Sequence, residues 1–272
     1  MCVSFVSIGE PGSSVYSLVL ASNRDEIFRR PSIAADWSND MLYGQDQTPG
    51  KEGGSWLAVG RNGRVGILHN VLGPRLPDKI PRGRLVLNYV AASDIEAYLR
   101  ELDAQRSSYA PFILIMLQPS GEGAYRGQAY CSVGEERFQT LSSGCWAFGN
   151  SPFGAPAFGK VSAGLDDFKR LLQSSREIEQ EQLIAFLGDT QKHWPDAQLA
   201  SQVEHVSQEL RPCFASRFVR LPSEGSPVYG TRTQTVLRVG WEGEAELLEA
   251  SLPCPETQPS SWQRRTFRFR VQ

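Results

Sequence analysis

The sequence predicts an α+β fold in which antiparallel sheets are covered by helices. The predicted elements occur in runs, in the order strands, helices, strands, helices, strands, and short turns join neighbouring strands. This order is typical of antiparallel sheets with helices on their faces, whereas a doubly wound parallel sheet alternates strand and helix. Hydrophobic residues make up 40% and charged residues 21% of the 272 residues. Such a composition indicates an ordinary globular protein.

The first two strands are predicted to form a hairpin. Val3–Ile8 alternates apolar and polar residues, the turn-forming segment 9–14 follows, and Val15–Ala21 is almost entirely apolar. If the turn pairs the adjoining ends of these strands, Cys2 lies opposite Ala21. The polar residues after Ala21 would then emerge beside the start of the chain.

The later elements follow the same patterns. Ser93 and Glu96 have the spacing of a capping box, and residues 84–92 form a buried helix before it. Apolar residues at helical spacing mark two more helices, over 165–172 and 183–187. The other predicted strands are Ser55–Val59, Arg64–Asn70, Phe112–Leu117, Ala124–Ser132, Glu136–Leu141, Cys145–Gly149, Tyr229–Val239, Glu244–Ala250 and Thr266–Val271. We expect residues 1–272 to form one domain, with surface loops at 222–227 and 253–261.

Charge and hydropathy exclude two classes of partner. The formal net charge is −2 and the isoelectric point is about 6.0, so the chain lacks the basic excess that a nucleic-acid site needs. The arginines near the C-terminus alternate with apolar residues, which is typical of the exposed face of a strand. No apolar run reaches the roughly 18 residues of a membrane span, and no secretory signal is evident. We expect a cytoplasmic protein, and the sequence does not determine its oligomeric state.

The cysteines and histidines predict no metal site. The five cysteines are odd in number and form no CxxC pair, which argues against a disulfide framework and against zinc. The three histidines, His69, His193 and His205, lack the spacing of metal ligands. No cofactor is therefore required, and His69 is the one candidate ligand for a bound haem.

Cys2 is the strongest candidate for a catalytic residue. A small residue after Met1 permits removal of the initiator, and Cys2 would then carry both a thiol and the α-amine of the chain. A free α-amine is partly neutral at physiological pH and can accept the thiol proton, which gives the nucleophilic thiolate. The alternative is that Cys2 is a small apolar residue at the start of a buried strand.

The tetrapeptide Asn23-Arg24-Asp25-Glu26 concentrates polar groups directly after an apolar strand. Asp25 could orient the amine of Cys2, and Arg24 could pair with a substrate carboxylate or with Glu26. The alternative is a turn held by salt bridges. The predicted hairpin favours a site, because it brings this tetrapeptide to Cys2.

Three further polar residues are candidates for the same site. Asn70 ends a strand after His69, Asn150 follows a predicted strand, and Arg232 lies among threonines in another. Asparagine amides can donate to a developing oxyanion, and an arginine can bind an anion or order a nucleophile. Turn formation and surface exposure are the alternatives for these residues.

Several motifs, in order along the whole chain, resemble the NRDE family, also called the transport and Golgi organisation protein 2 family. The motifs are Met1-Cys2, Ala21-Ser22-Asn23-Arg24-Asp25-Glu26 with Arg30-Pro31, Gly50-Lys51-Glu52-Gly53-Gly54-Ser55-Trp56-Leu57, Arg82-Gly83-Arg84-Leu85-Val86, Gly149-Asn150-Ser151 and Tyr229-Gly230-Thr231-Arg232-Thr233-Gln234-Thr235. This resemblance implies a branch of the N-terminal nucleophile hydrolases, whose fold is a four-layer αββα sandwich. In the cysteine members of that superfamily, such as the choloylglycine hydrolases, Cys2 would match the nucleophile and Asp25 the acid that orients its amine. Asn70 and Asn150 would match the oxyanion-side asparagines, and Arg232 the arginine near the nucleophile.

Two hypotheses follow from the residues and the resemblance. In the first, Cys2 hydrolyses an amide or an acyl-thioester bond. In the second, the same cleft is a non-catalytic carrier for haem, acyl-CoA or another lipid, with Asn23, Arg24, Glu26 and His69 as ligand-binding residues. The second is motivated by Ser22, which replaces the arginine that the hydrolases carry at this position, and by the family's association with haem and acyl-CoA. A third alternative is a protein-interaction domain on a hydrolase scaffold.

Overall fold

The protein has four layers, in which two antiparallel sheets pack face to face and helices cover their outer faces. A computed structural model describes residues 1–73, 76, 78–204, 206–222, 229–252 and 262–272. The predicted α+β fold and its αββα layering are confirmed. None of the helices in these described ranges is both long and apolar enough to cross a membrane.

Sheet A contains both ends of the chain. Its strands, in their spatial order, are β10 (Gly144–Phe148), β1 (Val3–Ile8), β2 (Tyr16–Ile27), β11 (Tyr229–Gly240), β12 (Glu244–Ser251) and β13 (Gln263–Arg270). Helices α3 (Gly159–Ser174), α4 (Gln180–Leu187) and α5 (Ala197–Gln202) follow β10 in the chain. Their apolar side chains form one cluster with the outer face of sheet A.

Sheet B is continuous in chain order. Its strands are β3 (Ser32–Ser38), β4 (Met41–Asp46), β5 (Leu57–Gly60), β6 (Val65–Asn70), β7 (Phe112–Pro119), β8 (Tyr125–Cys131) and β9 (Phe138–Leu141). Helices α1 (Arg84–Ala91) and α2 (Ile95–Gln105) cover its outer face.

The apolar core forms three layers, one between the sheets and one under the helices on each outer face. Sheet A contributes to two of them, because successive residues of a strand point to opposite faces. Val6 and Leu20 point towards sheet B, while Phe5 points towards the helices. The ring of Phe5 packs edge-on against Phe186 of α4, with 4.9 Å between ring centroids, and lies 5.8 Å from Phe168 of α3. Each such buried side chain stabilises the fold by roughly 1.5–3 kcal/mol.

The first hairpin differs from the predicted register by three residues. Ile8 pairs with Leu18, and Phe5, instead of Cys2, lies opposite Ala21. The reason is the length of the turn: the backbone N–H of Gly9 bonds to the carbonyl of Ser17, so the loop is longer than the predicted turn. The tetrapeptide after Ser22 therefore lies within β2 and does not emerge from its end.

Other differences concern helix caps and edge strands. The side chain of Asp94, and not that of Ser93, accepts from the backbone N–H of Ala97 and caps α2. The sequence patterns missed β3, β4 and α5, because β3 is a partly exposed edge strand interrupted by a bulge and α5 is short. Two surface loops were predicted, at 222–227 and 253–261. Residues 223–227 of the first loop and all of the second lie outside the described residues.

A close contact between the turns of the two sheets gives a test of this packing. Gly121 and Gly123 lie in one turn of sheet B, and both have positive φ, +100° and +72°. A Cβ on Gly123 would lie 1.8 Å from the backbone oxygen of Trp241 in sheet A, whereas a Cβ on Gly121 would meet nothing within 4 Å.

We expect Gly123→Ala to lower the free energy of unfolding by at least ~2 kcal/mol more than Gly121→Ala. Both variants place an alanine in the left-handed backbone region, which costs free energy, but only the Cβ of Gly123→Ala overlaps with the backbone oxygen of Trp241. Urea unfolding of the two variants measures the difference. Equal losses would contradict the contact between the turns.

Candidate functional site

The inner face of sheet A changes from apolar to polar near the start of β1. The last apolar row across β1, β2, β11 and β12 consists of Val6, Leu20, Leu237 and Leu247. The next row on the same face consists of Ser4, Ser22, Thr235 and Glu249. Arg24, Thr233 and Ser251 form the row after that. By the alternation of β1, Cys2 belongs to this outermost row.

Cys2 lies between two of the predicted site residues. Continuing the register of β1 past Val3 places Cys2 between Arg24 on β2 and Asn150 after β10. The half-buried sulfur of Cys2 accepts the backbone N–H of Asp25 at 3.4 Å and donates to the backbone oxygen of Asp25 at 3.8 Å. The structure therefore brings Cys2 and Asp25 together, although their contact is through the backbone of Asp25.

The carboxylate of Asp25 lies on the opposite face of β2, in a fully buried cluster of charges. Its Oδ1 accepts from the hydroxyl of Thr231 at 2.6 Å. Its Oδ2 lies 3.6 Å from the α-amine of Met1 and 3.9 Å from Nζ of Lys160. The amine of Met1 also donates to the hydroxyl of Tyr229, and Lys160 donates to the backbone oxygen of Met1 at 2.8 Å. This cluster anchors the start of the chain.

Lys160 was missed by the sequence analysis. It is wholly buried in the first turn of α3, where the helix dipole disfavours a cation. Burial lowers the pKa of Lys160, and the neighbouring Asp25 opposes this shift. Burial also raises the pKa of Tyr229 well above its ordinary value, so its phenol is protonated and can donate.

Arg24 extends across the cleft towards sheet B. Its guanidinium stacks over the ring of Trp56, 4.0 Å from the centroid, and its Nη2 lies 3.9 Å from Glu26. Glu26 also accepts from Arg30 at 2.7 Å. Burial lowers the pKa of Arg24, and its Nη1 is buried without a hydrogen-bond partner among the residues that the structure describes. Arg24 therefore lies within ion-pair distance of Glu26, and its binding of an anion stays a prediction.

The side chain of Asn23 forms hydrogen bonds within the protein. Its amide nitrogen donates to the backbone oxygens of Leu187 at 2.9 Å and Arg217 at 2.8 Å, and its amide oxygen accepts from Gln234 at 3.3 Å. The side chain points to the helix side and is fully buried. Its amide joins β2 to the segments that carry Leu187 and Arg217, and ligand binding by Asn23 stays a prediction.

His69 is likewise committed to the protein. The carbonyl of Gly149 can only accept, so Nδ1 of His69 donates to it at 2.9 Å, and Nε2 accepts from the hydroxyl of Ser4 at 2.7 Å. Ser22 is bonded in turn to Ser4 at 2.8 Å. Burial lowers the pKa of His69 to about 4, so the ring is neutral at physiological pH. Both ring nitrogens are therefore engaged within the protein, and haem binding at His69 stays a prediction.

The remaining predicted residues surround the same region. Asn150 is buried and its amide donates to the backbone oxygen of Asn70 at 2.6 Å, while the side chain of Asn70 is exposed. Arg232 lies at a bulge in β11 opposite Arg24 and is almost fully buried. Its Nη1 donates to the backbone oxygen of Ile27 at 3.1 Å, among other contacts. The structure places these residues within the neighbourhood of Cys2 without assigning them a chemical role.

Metal ligands do not cluster in the part of the chain that is described. No three histidine, cysteine, aspartate or glutamate side chains there are placed to hold an ion. The described cysteines, Cys2, Cys131, Cys145 and Cys213, are all free thiols.

A small cavity lies beside Arg24, and its lining includes the buried side chain of Glu249. The cavity is about 150 Å³ and its lining includes Trp56, Thr233 and Glu249. Glu249 accepts the backbone N–H of Ala35 at 2.7 Å. Burial raises the pKa of Glu249 from its ordinary 4.5 to about 7.

This shift predicts how stability depends on pH. Between pH 4.5 and 7 the folded state holds a proton on Glu249 that the unfolded state has lost, so stability falls as the pH rises through this range. Glu249→Gln keeps the acceptor for Ala35 and should raise the free energy of unfolding at pH 8 by on the order of 2 kcal/mol, with little change at pH 4. Urea unfolding at both pH values measures it. Glu244→Gln, at an exposed position of the same strand, is the control, and an equal effect of both variants would contradict the prediction.

Comparison with known proteins places the chain among relatives of matching length. The family model described as Transport and Golgi organisation 2 matches residues 1–253. The Transport and Golgi organization protein 2 homolog of Bos taurus is 32% identical over 286 residues, covering 100% of both chains. The Homo sapiens homolog is 31% identical with the same coverage. The Drosophila melanogaster protein is 32% identical over 271 residues, covering 93% of this chain and 92% of its own.

Solved structures show more distant similarity. The C2A mutant of the conjugated bile acid hydrolase of Clostridium perfringens aligns over 100% of this chain and 98% of its own, with a TM-score of 0.45 and 8% identity. The Caenorhabditis elegans ortholog of N-acylethanolamine-hydrolyzing acid amidase covers 68% of this chain and 85% of its own, with a TM-score of 0.39 and 10% identity. On the family model and the full-length relatives, the chain belongs to the Transport and Golgi organisation 2 family.

Proposed function

We propose that the protein is a hydrolase of amide or acyl-thioester bonds whose nucleophile is the thiol of Cys2 after removal of Met1. The observation that carries this proposal is the arrangement at the start of β1. Cys2 is partly exposed in the outermost polar row of sheet A, while the backbone just before it contacts a buried carboxylate, a phenol and a lysine. The resemblance to the choloylglycine hydrolases supports the same reading.

The proposed reaction uses both groups of a terminal cysteine. The α-amine of Cys2, oriented by Asp25, accepts the thiol proton, and the sulfur attacks the carbonyl carbon of the substrate. The amide groups of Asn70 and Asn150 are the proposed oxyanion donors, and Arg232 orders the loop beside the nucleophile. The leaving amine or thiol takes the proton from the α-amine. Water then hydrolyses the acyl-enzyme and restores the thiol.

A second candidate function is a carrier of an acyl chain, acyl-CoA, another lipid or haem. The observation that favours it is a cavity of about 400 Å³, lined largely by apolar side chains that include Phe138, Phe148, Phe153 and Phe158. This volume is within the range of small-molecule sites. The cavity is also lined by Gly149 and Ser151, on either side of Asn150, so it adjoins the candidate site. Arg24 would pair with the acidic end of the ligand.

Acyl transfer to Cys2 is the test of the hydrolase. We expect p-nitrophenyl butyrate to add one butyryl group to the protein that lacks Met1, because a nucleophile acylated by an activated ester accumulates as a thioester before water attacks. Intact-mass analysis detects the adduct, and peptide mapping should locate it at Cys2.

The matched control is Cys145→Ala, which removes another half-buried thiol of sheet A and should leave the labelling unchanged. Cys2→Ala should abolish it. Persistent labelling of Cys2→Ala, or a native protein that retains Met1, would contradict the proposal. Two results together would support the carrier: the wild type shows no acylation, and Cys2→Ala binds dodecanoyl-CoA as tightly as the wild type does. A Soret-band titration tests whether haem binds.

A further inference from the structure

Met1 occupies a defined chamber on the helix side of sheet A. Its side chain is 5% exposed and belongs to the same apolar cluster as Val3, Phe158 and Val161. Because successive residues alternate between faces, Met1 lies on the face of Asp25, while the sulfur of Cys2 lies in the cleft. We call the space that Met1 fills the Met1 chamber.

The polar groups around the chamber contact both ends of the Met1 backbone. The α-amine of Met1 donates to Tyr229 and lies 3.6 Å from Oδ2 of Asp25. The carbonyl oxygen of Met1 accepts from Nζ of Lys160 at 2.8 Å. The chamber thus contacts the three features of an α-aminoacyl group: an ammonium, a carbonyl oxygen and an apolar side chain.

The chamber also has unused polar capacity. Oδ2 of Asp25 is buried and accepts no hydrogen bond from any described residue. Lys160 would lose its hydrogen-bond acceptor when Met1 is removed, because the carbonyl of Met1 leaves with it. Oδ2 of Asp25, 3.9 Å away, would remain as its ionic partner. Loss of Met1 therefore leaves a buried ammonium that can bond to a new carbonyl or carboxylate oxygen.

The chamber lies within reach of the thiol. The carbonyl carbon of Met1 is bonded to the nitrogen of Cys2, so it is separated from the sulfur only by that nitrogen and the two carbons of the cysteine. A carbonyl carbon near this position can be attacked by the thiol. The freed nitrogen of Cys2 occupies the end of the former peptide bond, so the reacting carbonyl of a substrate would lie beside this position, with Lys160 as the donor to its oxygen.

We propose that the Met1 chamber, once Met1 is removed, receives an α-aminoacyl group with an unbranched apolar side chain. This inference rests on the proposed hydrolase and names its acyl half. Asp25 and Tyr229 bind the ammonium of the substrate, while the α-amine of Cys2 remains the base. For this substrate class Lys160, in place of Asn70 and Asn150, binds the carbonyl oxygen and stabilises the oxyanion. Attack forms the bond from the sulfur of Cys2 to the carbonyl carbon and breaks the amide bond. The amine leaves with the thiol proton, and water releases the amino acid from the thioester.

Binding to a Cys2→Ala protein that lacks Met1 tests the chamber without the reaction, because alanine also permits removal of the initiator. We expect L-methioninamide to bind by isothermal titration and N-acetyl-L-methioninamide, which lacks the ammonium, to bind at least about tenfold more weakly. The same protein with Met1 retained, made by cleaving a fusion directly before Met1, should not bind, because its own residue fills the chamber.

Absence of binding at millimolar L-methioninamide, or equal binding when Met1 is retained, would overturn the inference. These comparisons vary the ligand or the first residue, so they do not depend on whether a Lys160 variant folds. Lys160→Met, if folded, should weaken binding at least about tenfold because the carbonyl loses its donor. If L-methioninamide binds to Cys2→Ala but the wild-type protein releases no ammonia from it, the result supports the chamber and counts against the hydrolase. Failure of the chamber can therefore be distinguished from failure of the proposed function.

Discussion

The position of the start of the chain depends on the contacts of the buried Asp25 carboxylate. Burial of a carboxylate costs several kcal/mol of hydration free energy, and this cost must be offset by nearby cations and hydrogen-bond donors. Thr231, the amine of Met1 and Lys160 surround it here. One charge thus ties β2 to β11, to α3 and to the first residue of the chain. On the other side of the strand, the backbone of Asp25 contacts the sulfur of Cys2, so the position of Cys2 follows from the same anchor.

A second constraint is the polar end of the inter-sheet cleft. The hydrogen bond from Ser4 to the neutral ring of His69 joins sheet A to sheet B where the apolar rows end. Beyond it, the guanidinium of Arg24 stacks on the ring of Trp56. The sheets are therefore held together by hydrocarbon along most of their length and by polar contacts at the end where Cys2 lies.

Sequence patterns predicted most of the architecture and part of the site. Alternation predicted β1 to the residue, because one face of the strand packs on sheet B and the other on helices. The register was missed by three residues, since turn-forming residues indicate a reversal but not its length. Even so, Cys2 and Asp25 meet, because the shift moves Cys2 from a position opposite Ala21 to one opposite Arg24. Lys160 could not be predicted: its partners, Met1 and Asp25, are far away in the chain and contact it only through the packing of α3.

The central claim is that Asp25 and Lys160 are coupled in a buried cluster that positions the start of the chain. A double-mutant cycle with Asp25→Asn, Lys160→Met and the double variant tests it most directly by urea unfolding. We predict that each single variant loses about 3–5 kcal/mol, because it leaves a buried charge uncompensated. The double variant should lose at least about 1 kcal/mol less than the sum of the two losses. Losses that add to within about 0.5 kcal/mol would contradict the account, since uncoupled groups behave in this way.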